Sequence, residues 1–265
     1  MSKFVIIPFP NEAAAYGGIQ ALKELDQAGD LSLYGYSVLS KSADGRLDVK
    51  DAAGKGPLGL ALGALTGGLI GLFGGPAGWA LGVAGGALVG GVTDVALAGA
   101  PLRFAERVAL DVKPGHVAIV AEIDEDWTTP LDSRLAELGA TAIREWRSNV
   151  EDAQIEEDAR NARLEMEQLR NEAREARAAQ KEKLEGKVDA ARTRLTELRD
   201  QAAARLESIK SEAEAKIAHA EQQMKTASAE RKAEIEARIA RIKADARQRS
   251  DKLSAAWSLT KEALL

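Results

Sequence analysis

From Gly56 to Thr93 the chain reads GPLGLALGALTGGLIGLFGGPAGWALGVAGGALVGGVT, without one charged residue, and no other stretch narrows the choice of fold as much. Two apolar spans flank Gly74-Gly75-Pro76-Ala77-Gly78. Each is about 18 residues long, close to what a helix needs to cross a bilayer core of about 30 Å. Glycine recurs at a four-residue step, at Gly59, Gly63, Gly67, Gly71 and Gly75, and again at Gly78, Gly82, Gly86 and Gly90. That step sets the glycines on one helical face, where a missing side chain lets another helix approach. In water each would cost about 1 kcal/mol against alanine. The pattern predicts a glycine-zipper transmembrane helical hairpin whose glycines pack against other copies. A flexible linker would be richer in serine and polar residues, and a hairpin buried in a protein core would need a large protein around it.

The flanks agree with that expectation. Lys50 and Lys55 precede the run, Arg103 and Arg107 follow it, and the central turn is uncharged. By the positive-inside rule both ends lie on the cytoplasmic side, and Trp79 marks the far interface. Met1 to Pro10 lacks the basic start and apolar core of a signal peptide. The predicted location is the inner membrane of a bacterium, with head and tail in the cytoplasm.

The sequence around the run reads as a small α+β head. Phe4 to Phe9 is strand-like; Asn11-Glu12 opens a helix with Ile19, Leu22 and Leu25 at helical spacing, and Gly29 closes it. Leu31 to Ser40 and the alternation Leu47, Val49 form a strand pair across Ala43-Asp44-Gly45. After the run come a short helix from Leu102 to Leu110, a strand from His116 to Ile123, a helix from Pro130 to Leu138 and a strand from Thr141 to Trp146. The order predicts a ferredoxin-like head at residues 1–55 and 101–148, split by an inserted membrane hairpin at 56–100.

An opening strand and helix, a strand pair with an Asp-Gly turn, a glycine-paced run with a Gly-Gly-Pro turn ending near Thr93-Asp94, and a Pro-Gly before an apolar strand resemble one family. It is the bacterial family of predicted membrane proteins called domain of unknown function 1269, over roughly residues 3–148. The resemblance implies a membrane-associated bacterial protein with no established activity. The long tail departs from that family's usual short form.

That tail, residues 149–265, has no proline and holds 24 Lys and Arg against 24 Asp and Glu, whereas residues 1–148 hold 12 against 17. Unbroken, some 110 helical residues would reach about 165 Å. A heptad through Ile155, Ala159, Ala162, Met166 and Leu169 gives way to an eleven-residue period through Leu195, Leu198, Ala202, Leu206, Ile209, Ala213, Ile217, Ala220 and Met224. Leu195, Leu198, Leu206, Ile209, Ile217 and Met224 form the expected coiled-coil seam. A single solvated helix held by i,i+4 pairs is the competing reading. Gly186 and Thr226-Ala227-Ser228 are the points where the helix is predicted to kink or fold back.

The chemistry-bearing residues are few. The chain has no cysteine and two histidines, His116 and His219, too few to build a metal cluster from. The glycines form no phosphate loop, and no nucleophile, base and acid are grouped. No catalytic, cofactor or metal site is therefore expected. Asp124, Glu125 and Asp126 read as a solvated turn rather than a Ca²⁺ loop, which would need its glycine. Asp94, four residues after Gly90, is the candidate ion-facing carboxylate of a pore, against the plainer reading of a helix end among headgroups. Without a basic surplus, nucleic acid is not an expected partner. Membrane lipid and further copies of the chain are expected partners, with the tail open to another protein. The sequence points to a non-enzymatic, membrane-anchored homo-oligomeric scaffold. A homo-oligomeric pore is the alternative, and a peripheral protein whose tail lies on anionic lipid, through basic residues after Arg231 and Trp257, is a third.

Overall fold

The computed structural model describes residues 2–54, 56–58, 62–63, 65–67, 69, 108, 110–175 and 178–264. They form two compact units, Met1–Val150 with Ser211–Asp245, and Glu151–Lys210 with Ala246–Leu265. Tail residues thus contribute to both.

The first unit is built on strands β1 (Lys3–Phe9), β2 (Leu31–Lys41), β3 (Leu47–Ala53), β4 (Val117–Glu125) and β5 (Ile143–Trp146). They make one antiparallel sheet in the order β3-β2-β4-β1-β5. Helix α1 (Glu12–Ala28) connects β1 to β2, and β4 lies between those strands. Asn11 caps α1 by accepting from the Ala14 amide at 2.9 Å, and Gly29, at φ 77°, ends it. Only glycine takes that left-handed turn without cost. Helix α2 (Thr129–Glu137) starts with Pro130 in its first turn.

Alternation sends the residues of each strand to two faces. On the first face Val5, Ile7, Phe9, Val117, Ile119, Ala121 and Ile123 meet Ile19, Leu22 and Leu25 of α1 and Leu131 and Leu135 of α2. On the second, Phe4, Ile6, Leu39, Ala118 and Val120 meet Leu62, Leu65, Leu69, Val108 and Val112. Beyond Val120 the second face changes chemistry, because β4 continues with Glu122 and Asp124, both buried.

The α+β class holds, but the transmembrane part of the expected fold does not. Among the described residues no helix is long and apolar enough to cross a membrane. The described part of the apolar run instead covers protein: Leu62, Leu65 and Leu69, at helical spacing, are buried on the sheet, and Thr66 donates to Ser37 at 3.1 Å. These three leucines find their apolar partners in Phe4, Ile6 and Val120 rather than in lipid or another copy. Gly59, Gly71, Gly75, Gly78, Gly82, Gly86, Gly90 and Asp94 lie outside the described residues.

The tail is three helices, α3 (Arg147–Glu175), α4 (Ala178–Thr226) and α5 (Ala229–Leu264). In the second unit α3 and α4 fold back on one another. Arg194 lies 3.7 Å from Glu165, and Ala162, Met166 and Leu169 pack with Ala191, Leu195 and Leu198. A single unbroken rod is thereby excluded. The chain also breaks between Thr226 and Ala229, at the predicted Thr226-Ala227-Ser228 patch, while Gly186 stays inside α4.

One close approach fixes how α1 lies on the sheet. A Cβ on Gly18 would sit 2.5 Å from the Phe9 ring and 2.9 Å from Ile119, whereas one on Gly17 would meet Leu138 at an ordinary 3.5 Å. Gly18→Ala is expected to destabilise the protein by about 1–3 kcal/mol in urea unfolding, through overpacking. Gly17→Ala should be neutral or stabilising by up to about 1 kcal/mol.

Candidate functional site

The polar half of the second face is covered by a helical hairpin, residues 211–245, made from the end of α4 and the start of α5. The two helices touch where Arg238 approaches Gln223 at 3.4 Å. On α4 the buried residues are Glu212, Lys216, Ala220 and Gln223; on α5 they are Ile235, Arg238 and Ile242. These spacings put one stripe of each helix against the head. Most of the stripe is polar.

At its centre is Glu122, fully buried on β4. Its Oε1 accepts from Lys216 Nζ at 2.6 Å and from Arg147 Nη1 at 2.8 Å. Arg147 Nη2 lies 2.7 Å from Glu212 Oε2, and Lys216 donates to Ser2 Oγ at 2.9 Å. Two cations and two carboxylates are therefore paired with one another out of contact with the surface. Lys216 also sits 4.6 Å above the Tyr34 ring, a cation–π contact. Tyr34 reaches this place through a β-bulge: in the β2–β4 register Leu33 pairs with Ile123 and Gly35 with Glu122, so Tyr34 is the extra residue. A bulge re-aims a side chain in this way.

A second group of contacts lies where α1 ends. Asp26 Oδ1 accepts from the Leu33 amide at 2.9 Å and lies 2.8 Å from His219 Nε2 and 2.9 Å from Gln223 Nε2. Gln223 also donates toward the carbonyls of Asp26 and Leu31, at 2.7 and 2.9 Å, and its Oε1 accepts from Ser32 at 3.0 Å. Arg238, almost fully buried, donates to Ser32 Oγ at 3.0 Å and to the Gly29 carbonyl at 3.2 Å, and pairs with Asp126 at 3.3 Å. Arg241 pairs with the other Asp126 oxygen, and Arg231 with Asp30 at 2.7 Å. The head supplies most of the carboxylates and the hairpin most of the cations.

Asp124, Glu125 and Asp126 are therefore not a solvated turn. β4 runs to Glu125, Asp124 is buried, Glu125 pairs with Lys3 and Arg144 on the first face, and Asp126 holds the hairpin. Among the described residues no His, Asp and Glu side chains are gathered as a metal site. What this arrangement can do chemically is clasp: paired buried charges tolerate one register and penalise every other.

The seam predicted from sequence is divided. Leu195 and Leu198 are in the α3–α4 core, Ile209 is buried, and Leu206, Ile217 and Met224 are half-buried. Gly63 is exposed, with open space where its Cβ would be, and Gly67 is half-buried. Glu122, Arg147, Glu212, Lys216, Gln223 and Arg238 were not singled out by sequence reasoning, since polar and charged residues on a helix read as solvated surface and Glu122 lies at the end of a run read as an apolar strand. Two signals exist. Glu122 and Asp124 interrupt an otherwise apolar strand, and 212, 216, 220 and 223 share a helical face.

Residues 61–160 match the family model described as Protein of unknown function (DUF1269), which is the resemblance drawn from sequence. The match takes in Glu122, Asp124 and Arg147 and leaves outside it β1 to β3 and the hairpin that carries Lys216 and Arg238. No curated protein and no solved structure matches the chain.

Removing one cation from the centre leaves its carboxylates uncompensated. Lys216→Met is expected to cost about 3 kcal/mol in denaturant unfolding, and adding Glu122→Gln should restore roughly half of that. pH dependence has two opposed contributions. Burial first, then the charges of Asp124 and Glu122, hold the Tyr34 pKa well above its ordinary 10.0. Its contribution to stability is full below that pH and is lost as the pH rises toward the folded value. Burial, incompletely offset by Glu122, lowers Lys216 below 10.5, so its contribution grows as pH rises through that window. Tyr34→Phe should therefore lose less stability than the parent chain between about pH 9 and 11, measured by urea midpoints.

Proposed function

We propose that this chain, carrying DUF1269 sequence at residues 61–160 and a long helical tail, is a non-enzymatic, membrane-associated scaffold that assembles with further copies of itself. The observation that carries the reading is how the buried charges are used. Glu122, Lys216, Arg147 and Glu212 neutralise one another at 2.6–2.8 Å, and Arg238 with Gln223 ties two helices to the sheet. Groups so engaged fix position. The tail consists of helices of 29, 49 and 36 residues, and the longest is about 73 Å long at 1.5 Å per residue. Such lengths offer extensive lateral surface to other copies or another protein.

Support for the membrane part comes from sequence. The run Gly56–Thr93 is uncharged and rich in Gly, Leu and Ala, and basic residues flank it. An uncharged apolar sequence of this kind favours lipid wherever protein does not cover it, and the flanking cations favour the cytoplasmic, anionic leaflet of a bacterial membrane.

Two measurements check the reading. Full-length protein should float with vesicles of mixed zwitterionic and anionic lipid, and Leu72→Asp with Leu81→Asp should lower the bound fraction about tenfold, equivalent to about 1.4 kcal/mol. Equal flotation of the variant would remove the run from any part in it. Mass by light scattering should exceed one chain; a single-chain mass at every concentration would refute the scaffold.

A further inference from the structure

The two halves of the sheet's second face differ in a way that a permanent cover would not need. Under Leu62, Leu65 and Leu69 the sheet offers Phe4, Ile6, Leu39, Ala118 and Val120. Under the 211–245 hairpin it offers Ser32, Tyr34, Glu122 and Asp124, and Asp26, Asp30 and Asp126 lie at the rim. Burying ion pairs gives little or no net stability over apolar residues of the same volume. A surface that must meet water some of the time has reason to stay polar. Obligate interfaces resemble a protein core, while interfaces that form and separate carry polar and charged groups. The apolar half has the first character and the clasped half the second.

The covalent route points the same way. The hairpin is not continuous with the strands it covers: residues 151–210 precede it and 246–265 follow it, and both segments belong to the other compact unit. Its contacts with the head join residues 65 to 214 positions apart, Glu212 to Arg147 and Lys216 to Ser2 among them. Nothing in those contacts depends on both partners being in one chain. Exchange of an identical element between copies keeps every contact and adds only the change of connection.

We infer that the 211–245 hairpin is a detachable clasp and that its face on the sheet accepts the same hairpin from a second copy of this chain. The occupant is specified by charge. The face presents Glu122, Asp126 and Asp30, and the hairpin brings Lys216, Arg231, Arg238 and Arg241 to match. This rests on the self-assembly reading above and gives it a contact: copies are joined by clasps given and received.

The test exploits a chain without cysteine. Asp126→Cys and Arg241→Cys each place one thiol at the outer edge of the clasp, where the two side chains are paired. The two full-length variants are prepared separately, one isotopically labelled, mixed, and treated with a short thiol-to-thiol crosslinker. The expected product has the mass of two chains and joins labelled residue 126 to unlabelled residue 241. It should be lost when an excess of the cysteine-free chain is added first. A second measurement uses the double variant Asp126→Cys/Arg241→Cys, which reports whether the clasp has formed at all. If the double variant crosslinks only within one chain while light scattering still shows an oligomer, the exchange is refuted and the scaffold reading stands. A single-chain mass at all concentrations refutes both.

Discussion

The contact on which the rest of this structure depends is the one that Glu122 makes with Lys216 and Arg147. A carboxylate at the centre of a sheet, wholly removed from water, is tolerable only when cations and donors surround it. Lys216 comes from far along the chain, and Arg147 stands at the junction of β5 and α3, so satisfying this one residue brings distant segments to the same place. Apolar packing does not distinguish one helix register from its neighbours nearly so sharply. A shift of α4 by one residue would move Lys216 off the carboxylate and place a different side chain in the dry volume.

Much of the head was legible in the sequence. Asn11 and Gly29 mark the ends of α1 because their side-chain and backbone chemistry is local, and local signals survive without knowledge of the fold. The alternation in Leu47–Val49 and the apolar strand after Pro114-Gly115 were equally plain. The break after Thr226 was visible for the same reason. The apolar run was harder, since hydrophobicity tells that a segment leaves water and not what receives it. Leu62, Leu65 and Leu69 satisfy that demand on Phe4, Ile6 and Val120, partners supplied by strands distant in sequence.

The clasp was illegible for a physical reason of another kind. Glu212, Lys216 and Arg238 have the composition of exposed helix surface, and only a pairing partner in space tells a buried charge from a solvated one. The partner, Glu122, sits in a strand whose apolar neighbours made it look like an interruption. The tail's alanine-rich stripe was similarly ambiguous. The α3–α4 pair uses Ala162 and Ala191 to pack within one chain, where periodicity alone suited equally an assembly of several.

The bulge at Tyr34 has one more consequence, for inheritance. Because Tyr34 and Gly35 together oppose Glu122, β2 carries one residue more than a regular ladder would accept. Deleting Tyr34 would leave a regular ladder in which Leu31 and Leu33 still face α1 and Ser32 still faces the hairpin, because Leu33 already pairs with Ile123 and Ser32 with Asp124, but the ring that Lys216 rests on would be gone. The extra residue is thus carried for its side chain, and a descendant of this chain that lost position 34 would keep the two faces of β2 while giving up the aromatic contact with Lys216.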